Sequence, residues 1–254
     1  MIEAFDDPRE CINSARDHIN DLDARLKAFF EGQRTPKVRD YDSDTGQDVY
    51  KVRLTGKNSG KALTLAKNSF SDLRDALDHA VYASTVTLRP GTSPSRTAFP
   101  FADDAAGVHA KLNRKLIDVP PEIRSFLEGL CPHKTGNPLL WALNDTRNTK
   151  THRLLVPLGA VAVGHEIKGS AGVISGPARI GYTDWDPAKN EVEYARMARG
   201  STFDHEVNIS FQVVFGDASP TVAGQPAVAT LHALASEVER IVGAIEAETE
   251  RLLR

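Results

Sequence analysis

The chain has 254 residues, a net charge of −3 and a pI near 6.2, with 41% apolar and 26% charged residues. That balance describes a soluble globular protein; it excludes a disordered chain and a globally basic nucleic-acid coat, while leaving room for a local basic patch. The two cysteines, Cys11 and Cys131, form no CxxC, which excludes a zinc knuckle and a thioredoxin-type motif and makes a reducing cytoplasm the expected compartment.

The acidic start from Met1 to Asp7 lacks the apolar stretch of a signal peptide. Asp7-Pro8 then reads as a helix start. Cys11, Ala15, Ile19, Leu22, Leu26, Phe29 and Phe30 recur at helical spacing and predict a helix over 7–32, with His18 inside its stripe. Residues 36–55 alternate around the polar turn Asp42 to Gln47 and predict a β-hairpin. A second long helix is expected at 62–88, closed by Pro90 and Pro94, and shorter ones at 104–116 and 120–130. A fifth helix begins after Asn137-Pro138 and runs to about His152.

The chain then turns β. Residues 154–163 are apolar and valine-rich, 171–183 hold short apolar pieces between glycines and prolines, and Asp184 to Asn190 reads as a turn. Val207, Ile209, Phe211, Val213 and Phe215 alternate strictly and predict a strand with all five on its buried face. A linker over 216–226 leads to a last helix at 226–253 whose near-heptad stripe requires other helices to cover it. The longest apolar run, Leu154 to Gly164, contains Pro157 and is too short to span a bilayer, so no membrane is expected. The fold class is therefore α+β: a long-helix bundle with a mostly antiparallel sheet inserted before the C-terminal helix. It is read as one domain, with a helical part at 1–153 and 225–254 and a β-rich part at 154–216.

No GxGxxG, Walker A, HExxH, GxSxG or EF-hand loop is present, so no nucleotide cofactor is expected. Two polar clusters carry the functional signal. In Leu73 to His79, Arg74 and Asp78 are four apart, as are Asp75 and His79. A carboxylate on one imidazole nitrogen raises the basicity of the other. In Asn144 to Arg153, the stripe begun by Leu140 and Leu143 continues through Asn144, Arg147 and Thr151. Polar residues there need partners or a wet cleft, because unpaired burial costs several kcal/mol. A hydrogen bond or ion pair joining the two clusters is therefore expected, with Arg147 facing Asp75 or Asp78. A metal site built from His18, His79 and His152 lacks inward glutamates, so no metal is expected. The remaining histidines, His205 among them, read as ordinary residues of loops or polar faces, and no catalytic residue is expected from the sheet.

Both clusters contain Arg-x4-His: Arg74 to His79 and Arg147 to His152, each with a polar second residue. Arg199 to His205 is one residue longer and is a third match when the gap is allowed to vary, but only the first two pairs fall on helices. The pattern resembles the signature of HEPN-domain proteins, helical bundles that include many metal-independent ribonucleases and often pair as homodimers. The resemblance implies His152 as base or acid, Arg147 on the phosphate, Asn148 orienting water or phosphate, and Arg74 with His79 and Asp75 as a further acid/base group. The order His18, hairpin, Leu73-Arg74-Asp75-Ala76-Leu77-Asp78-His79, Phe99-Pro100 and Asn148 to Arg153 also resembles a group of uncharacterised bacterial and phage proteins, over about residues 10–155. That group has Asn-x-x-Lys-His-Arg; here Thr151 separates Lys150 from His152. Two readings follow: a non-catalytic interaction module with a HEPN-like helical core, or a metal-independent HEPN-like endoribonuclease acting on RNA. A homodimer through the helices is the expected assembly.

Overall fold

The structure is a computed structural model. It describes residues 2–31, 36–53, 60–152, 158–186, 189, 191–216 and 221–254; the side chains of 147–152, 158–165, 169–171, 182–185 and 211 lie outside that description. It is α+β, as the periodicities predict. A 3-10 turn at Glu3–Phe5 opens into α1 (Asp6–Glu31). Then come β1 (Lys37–Asp42), β2 (Gln47–Arg53), α2 (Gly60–Leu88), α3 (Ala105–Arg114), α4 (Pro121–Gly129) and α5 (Pro138–His152). They are followed by β3 (Leu158–Val173), β4 (Ala178–Asp186), β5 (Glu191–Ala198), β6 (Thr202–Phe215) and α6 (Ala227–Leu252).

The chain divides into two compact units. One holds Met1–Ala24, Gly60–Pro157 and Phe215–Arg254; the other holds Arg25–Ser59 and Leu158–Val214. In the helical unit α6 packs on α2, α4 and α5, so its stripe is covered by other helices as expected. Leu231, Leu234, Val238, Ile241 and Ile245 of α6 are all fully buried, as are Phe70, Leu73, Leu77 and Ala80 of α2. Each such large aliphatic side chain contributes roughly 1.5–3 kcal/mol of burial. Where the two stripes run out of apolar residues they stay paired: Thr249 Oγ1 donates to Ser84 Oγ at 2.8 Å, both fully buried.

In the β unit the sheet order is β1-β2-β5-β4, and every pairing in it is antiparallel; β3 and β6 form a separate two-stranded sheet. The hairpin, placed with the helical part by sequence order, is hydrogen-bonded through β2 to β5. Strand β5 has no counterpart in the sequence reading. It sits between β2 and β4, and its first five residues are buried, Glu191 and Glu193 among them. Those two carboxylates are paired: Glu191 with Arg53 at 2.5 Å and Lys51 at 3.4 Å, Glu193 with Arg196 at 2.5 Å. A buried carboxylate survives only with such partners: those of Glu191 come from the neighbouring strand β2, and that of Glu193 from three residues further along β5 itself. The turn expected over Asp184 to Asn190 is shorter than read: Asp184, Trp185 and Asp186 belong to β4, opposite Glu193, Val192 and Glu191.

The register of β6 matches its alternation. Phe203, Val207 and Ile209 pack partly buried against a core of Tyr50, Val52, Tyr194, Ala195 and Met197. Asn208, Ser210 and Gln212 are exposed, and Val213 and Phe215 are buried. Phe211 lies outside the described side chains.

Candidate functional site

The first polar cluster is split by helical geometry. Residues five apart on an α-helix stand about 140° apart around its axis. Arg74 therefore turns inward while His79 turns out. Arg74 is buried, at 9% exposure, and its guanidinium is engaged on every side by the contacts that follow. Its Nε and Nη2 donate to the two oxygens of Asp78 at 3.3 and 3.2 Å. Nη1 donates to Asn144 Oδ1 at 2.8 Å, and Nη2 also donates to the Phe99 carbonyl at 3.3 Å. Its plane lies over the Phe101 ring, with Cζ 4.2 Å from the centroid. Asp78 Oδ1 in turn accepts from the Phe99 amide at 2.7 Å.

The expected bond between the two clusters is thus present, carried by Arg74 and Asn144. Asn144 is buried, as its place in the stripe requires. The side chains of Arg147, Asn148 and His152 lie outside the described residues, and with them the expectation that Arg147 meets helix α2. Of the six candidate residues, Arg74 serves as a structural tie between α2, α5 and the Phe99–Phe101 segment. His79 is left at the surface, and Asp75 is half-buried on the same side of α2.

His79 belongs to a polar seam between α1 and α2. Cys11, Ser14 and His18 follow one face of α1, and Asp72, Asp75 and His79 one face of α2, each at spacings of three and four. Cys11 Sγ lies 3.7 Å from His79 Nδ1. Ser14 Oγ donates to Asp72 Oδ2 at 2.9 Å, and His18 Nε2 lies 3.5 Å from the same oxygen. Burial pushes the Cys11 thiol up, and the carboxylates of Asp75, Asp72, Asp7 and Glu10 push it further. Both effects favour the thiol over the thiolate, the nucleophilic form. The sequence reading missed Cys11 because it counts as one more apolar member of the α1 stripe.

Beside His79 opens a cleft of about 530 Å³. Asp7, His79 and Tyr82 stand exposed at its edge, Ala83 is buried beneath, and Ser95, Thr97 and Ala98 form the facing wall. That wall is fixed at both ends. Asp118 Oδ2 accepts the amides of Ser95 and Arg96, each at 3.1 Å, and Asp78 accepts the amide of Phe99. No lysine or arginine occurs among the described residues lining the cleft.

The β unit holds a second polar knot, at a residue the sequence reading set aside. His205 is buried on β6, not in a loop or on a polar face. Its Nδ1 lies 2.9 Å from the Phe203 carbonyl and its Nε2 2.6 Å from Tyr194 Oη. A carbonyl only accepts, so the network assigns the proton to Nδ1, and Nε2 accepts from the tyrosine. The imidazole stacks on Phe203 at 4.1 Å and meets Tyr50 edge-on at 5.9 Å. Burial holds the Tyr194 phenol up at about 12, so it remains a donor. Every polar atom of the pair is used inside the core, and no open position is left for a substrate.

Comparison with protein-family models, with curated proteins and with solved structures found no match. Among the described residues no helix is long and apolar enough to cross a membrane, and no three histidine, cysteine or acidic side chains are grouped to hold a metal ion.

Proposed function

We propose that this protein is a non-catalytic interaction module with a HEPN-like helical core, and that the cleft beside His79 is its binding surface. One observation carries the reading. The arginine of the α2 Arg-x4-His pair is buried and spent on Asp78, Asn144 and Phe99, whereas the histidine faces the cleft. Ribonuclease chemistry at this pair needs a cation on the phosphate and an acid/base group beside it, both reaching one atom. Here the two stand on different sides of one helix. At the edge of the cleft that holds His79 stands the exposed carboxylate of Asp7, which repels a phosphate. Two free thiols, Cys11 and Cys131, support a reducing cytoplasm as its compartment.

The test is a labelled single-stranded RNA incubated with the purified protein in EDTA. The RNA is expected to stay intact. Metal-independent cleavage that disappears in His152→Ala or His79→Ala would overturn the proposal in favour of the endoribonuclease.

A further inference from the structure

Beyond the cleft, we infer that a second surface of the helical unit takes an acidic peptide segment of a partner protein. It is the corner where the chain leaving α2 meets the turn between α3 and α4, and it carries Arg89, Arg96, Arg114 and Lys115. Two stretches, 79–102 and 105–117, contain no aspartate or glutamate, where the chain's average density would place about five. Asp118 ties them together. Its carbonyl accepts from Arg89 Nη1 at 3.0 Å, and its Oδ2 accepts the amides of Ser95 and Arg96, each at 3.1 Å. Arg114 ends α3, Lys115 is its C-cap, and they precede Asp118 by four and three residues. All four cations are exposed, and none forms an ion pair among the described residues. Two carboxylates oppose them here: Asp118, engaged by the two amides, and exposed Glu122 in the first turn of α4. In a chain of net charge −3, this corner therefore keeps a positive surplus.

Chemistry selects the occupant. Guanidinium forks match the two oxygens of a carboxylate. Ile117 stands in the same turn with 50% of its surface exposed, an apolar contact that a peptide side chain can use and a phosphodiester backbone cannot. Asp6, Asp7, Glu10, Asp17 and Asp21 are exposed along α1, so a long polyanion such as a nucleic-acid duplex meets repulsion from the rest of this unit. A short acidic segment meets the corner alone, because exposed charges fade over a screening length of about 8–10 Å. Asp7, at the opposite edge of the cleft whose wall carries Arg96, keeps such a segment on the corner and out of the cleft. A lipid surface needs a broader apolar face than one isoleucine.

The probe is hexaglutamate carrying an uncharged fluorophore, titrated into the full chain at about 50 and 200 mM salt, a range over which screening lengths shorten appreciably. It is expected to bind, more weakly at the higher salt, and hexalysine should not compete. Arg96→Ala, Arg114→Ala and Lys115→Ala should each weaken binding about two- to fivefold, which is what one exposed ion pair contributes. The double variant Arg114→Glu/Lys115→Glu should abolish it. A probe lengthened by two central leucines should bind more tightly than hexaglutamate to the wild type but not to Ile117→Ser. All the substituted residues are exposed, and an unchanged circular dichroism spectrum verifies that the variants fold. Absence of hexaglutamate binding, equal binding by wild type and the charge variants, or tighter binding of a DNA duplex or of phosphatidylserine vesicles at the same salt would overturn the inference. None of these results bears on whether RNA stays intact, so this surface and the non-catalytic reading fail separately.

Discussion

Arg74 in the helical unit and His205 in the β unit each centre a buried polar knot, and the two knots are built on opposite principles. At Arg74 a charge is buried and tied to three stretches of chain: α2 through Asp78, α5 through Asn144, and the Phe99–Phe101 segment. At His205 a neutral donor–acceptor chain links two strands and closes on itself, from Tyr194 through the imidazole to the Phe203 carbonyl. The charged knot holds distant pieces together, but any break in it leaves an uncompensated ion in low dielectric. The neutral knot ties strands of two different sheets and leaves behind only an unsatisfied lone pair when cut. A buried arginine or histidine is thus weak testimony for catalysis until its hydrogen bonds have been followed to their ends.

The largest effect should come from breaking the charged knot. Arg74→Ala is expected to cost about 3–5 kcal/mol, since it strands Asp78 and Asn144 and removes the cation over Phe101. Arg74→Lys should recover only part, because a point charge cannot reach Asp78, Asn144 and the Phe99 carbonyl together. The chain has two tryptophans, Trp141 on α5 and Trp185 on β4. Denaturation of Trp141→Phe and Trp185→Phe backgrounds, followed by fluorescence, should show the Arg74→Ala shift more strongly at Trp141. A shift reported only by Trp185 would refute the assignment of the knot to the helical unit.

Cutting the neutral knot should cost less. Tyr194→Phe leaves His205 Nε2 without its donor and is expected to lose about 1–3 kcal/mol, read as a lower urea midpoint at Trp185. A replacement that lowered the midpoint more than Arg74→Ala would reverse the ranking of the two knots.

Acid provides a third comparison. Burial pushes the Glu246 carboxyl up, but the hydrogen bonds from Arg9 and from the Ile2 amide together pull it below the ordinary carboxylate value. Arg9 reaches both oxygens, at 2.6 and 2.5 Å. Its stabilisation is therefore present above an unfolded pKa of about 4.3 and fades as pH falls through the lower folded value. Glu246→Gln should lower stability at neutral pH by roughly 0.5–1 kcal/mol and flatten the acid limb of the helical unit. An unchanged acid limb would remove Glu246 from the account.

The smallest effect concerns Cys131, which follows the end of α4 with φ at 51°. Its amide donates to the Glu128 carbonyl at 3.0 Å, the position after a helix cap where glycine is usual. Cys131→Gly should stabilise by about 0.5–1 kcal/mol, measured by thermal denaturation, because the left-handed backbone strains any side chain. A loss of stability would mean that the cysteine side chain contributes more than its backbone costs.

Much of this was readable before any coordinates. The six helices lie where stripes and punctuation place them, and so does the hairpin. The inward face of β6 follows from strict alternation, because a period of two leaves the side chains no choice of face. Asn144 announced itself as a polar residue on an apolar stripe, and a polar group there must find a partner. The bond from Arg74 is that partner.

What tertiary structure alone decided is where charges cancel. Glu191-Val192-Glu193-Tyr194-Ala195-Arg196 does not read as a central strand, because its carboxylates become buriable only when Arg53 and Lys51 arrive from β2 and Arg196 folds back on Glu193. The Arg-x4-His pair looked like one site along the chain, yet the helix turned its members 140° apart and gave the arginine to the core. Periodicity is local and survives in the sequence. Pairing across more than a hundred residues, as between Arg53 and Glu191, is a property of the folded chain, since only folding fixes which cation stands beside which carboxylate.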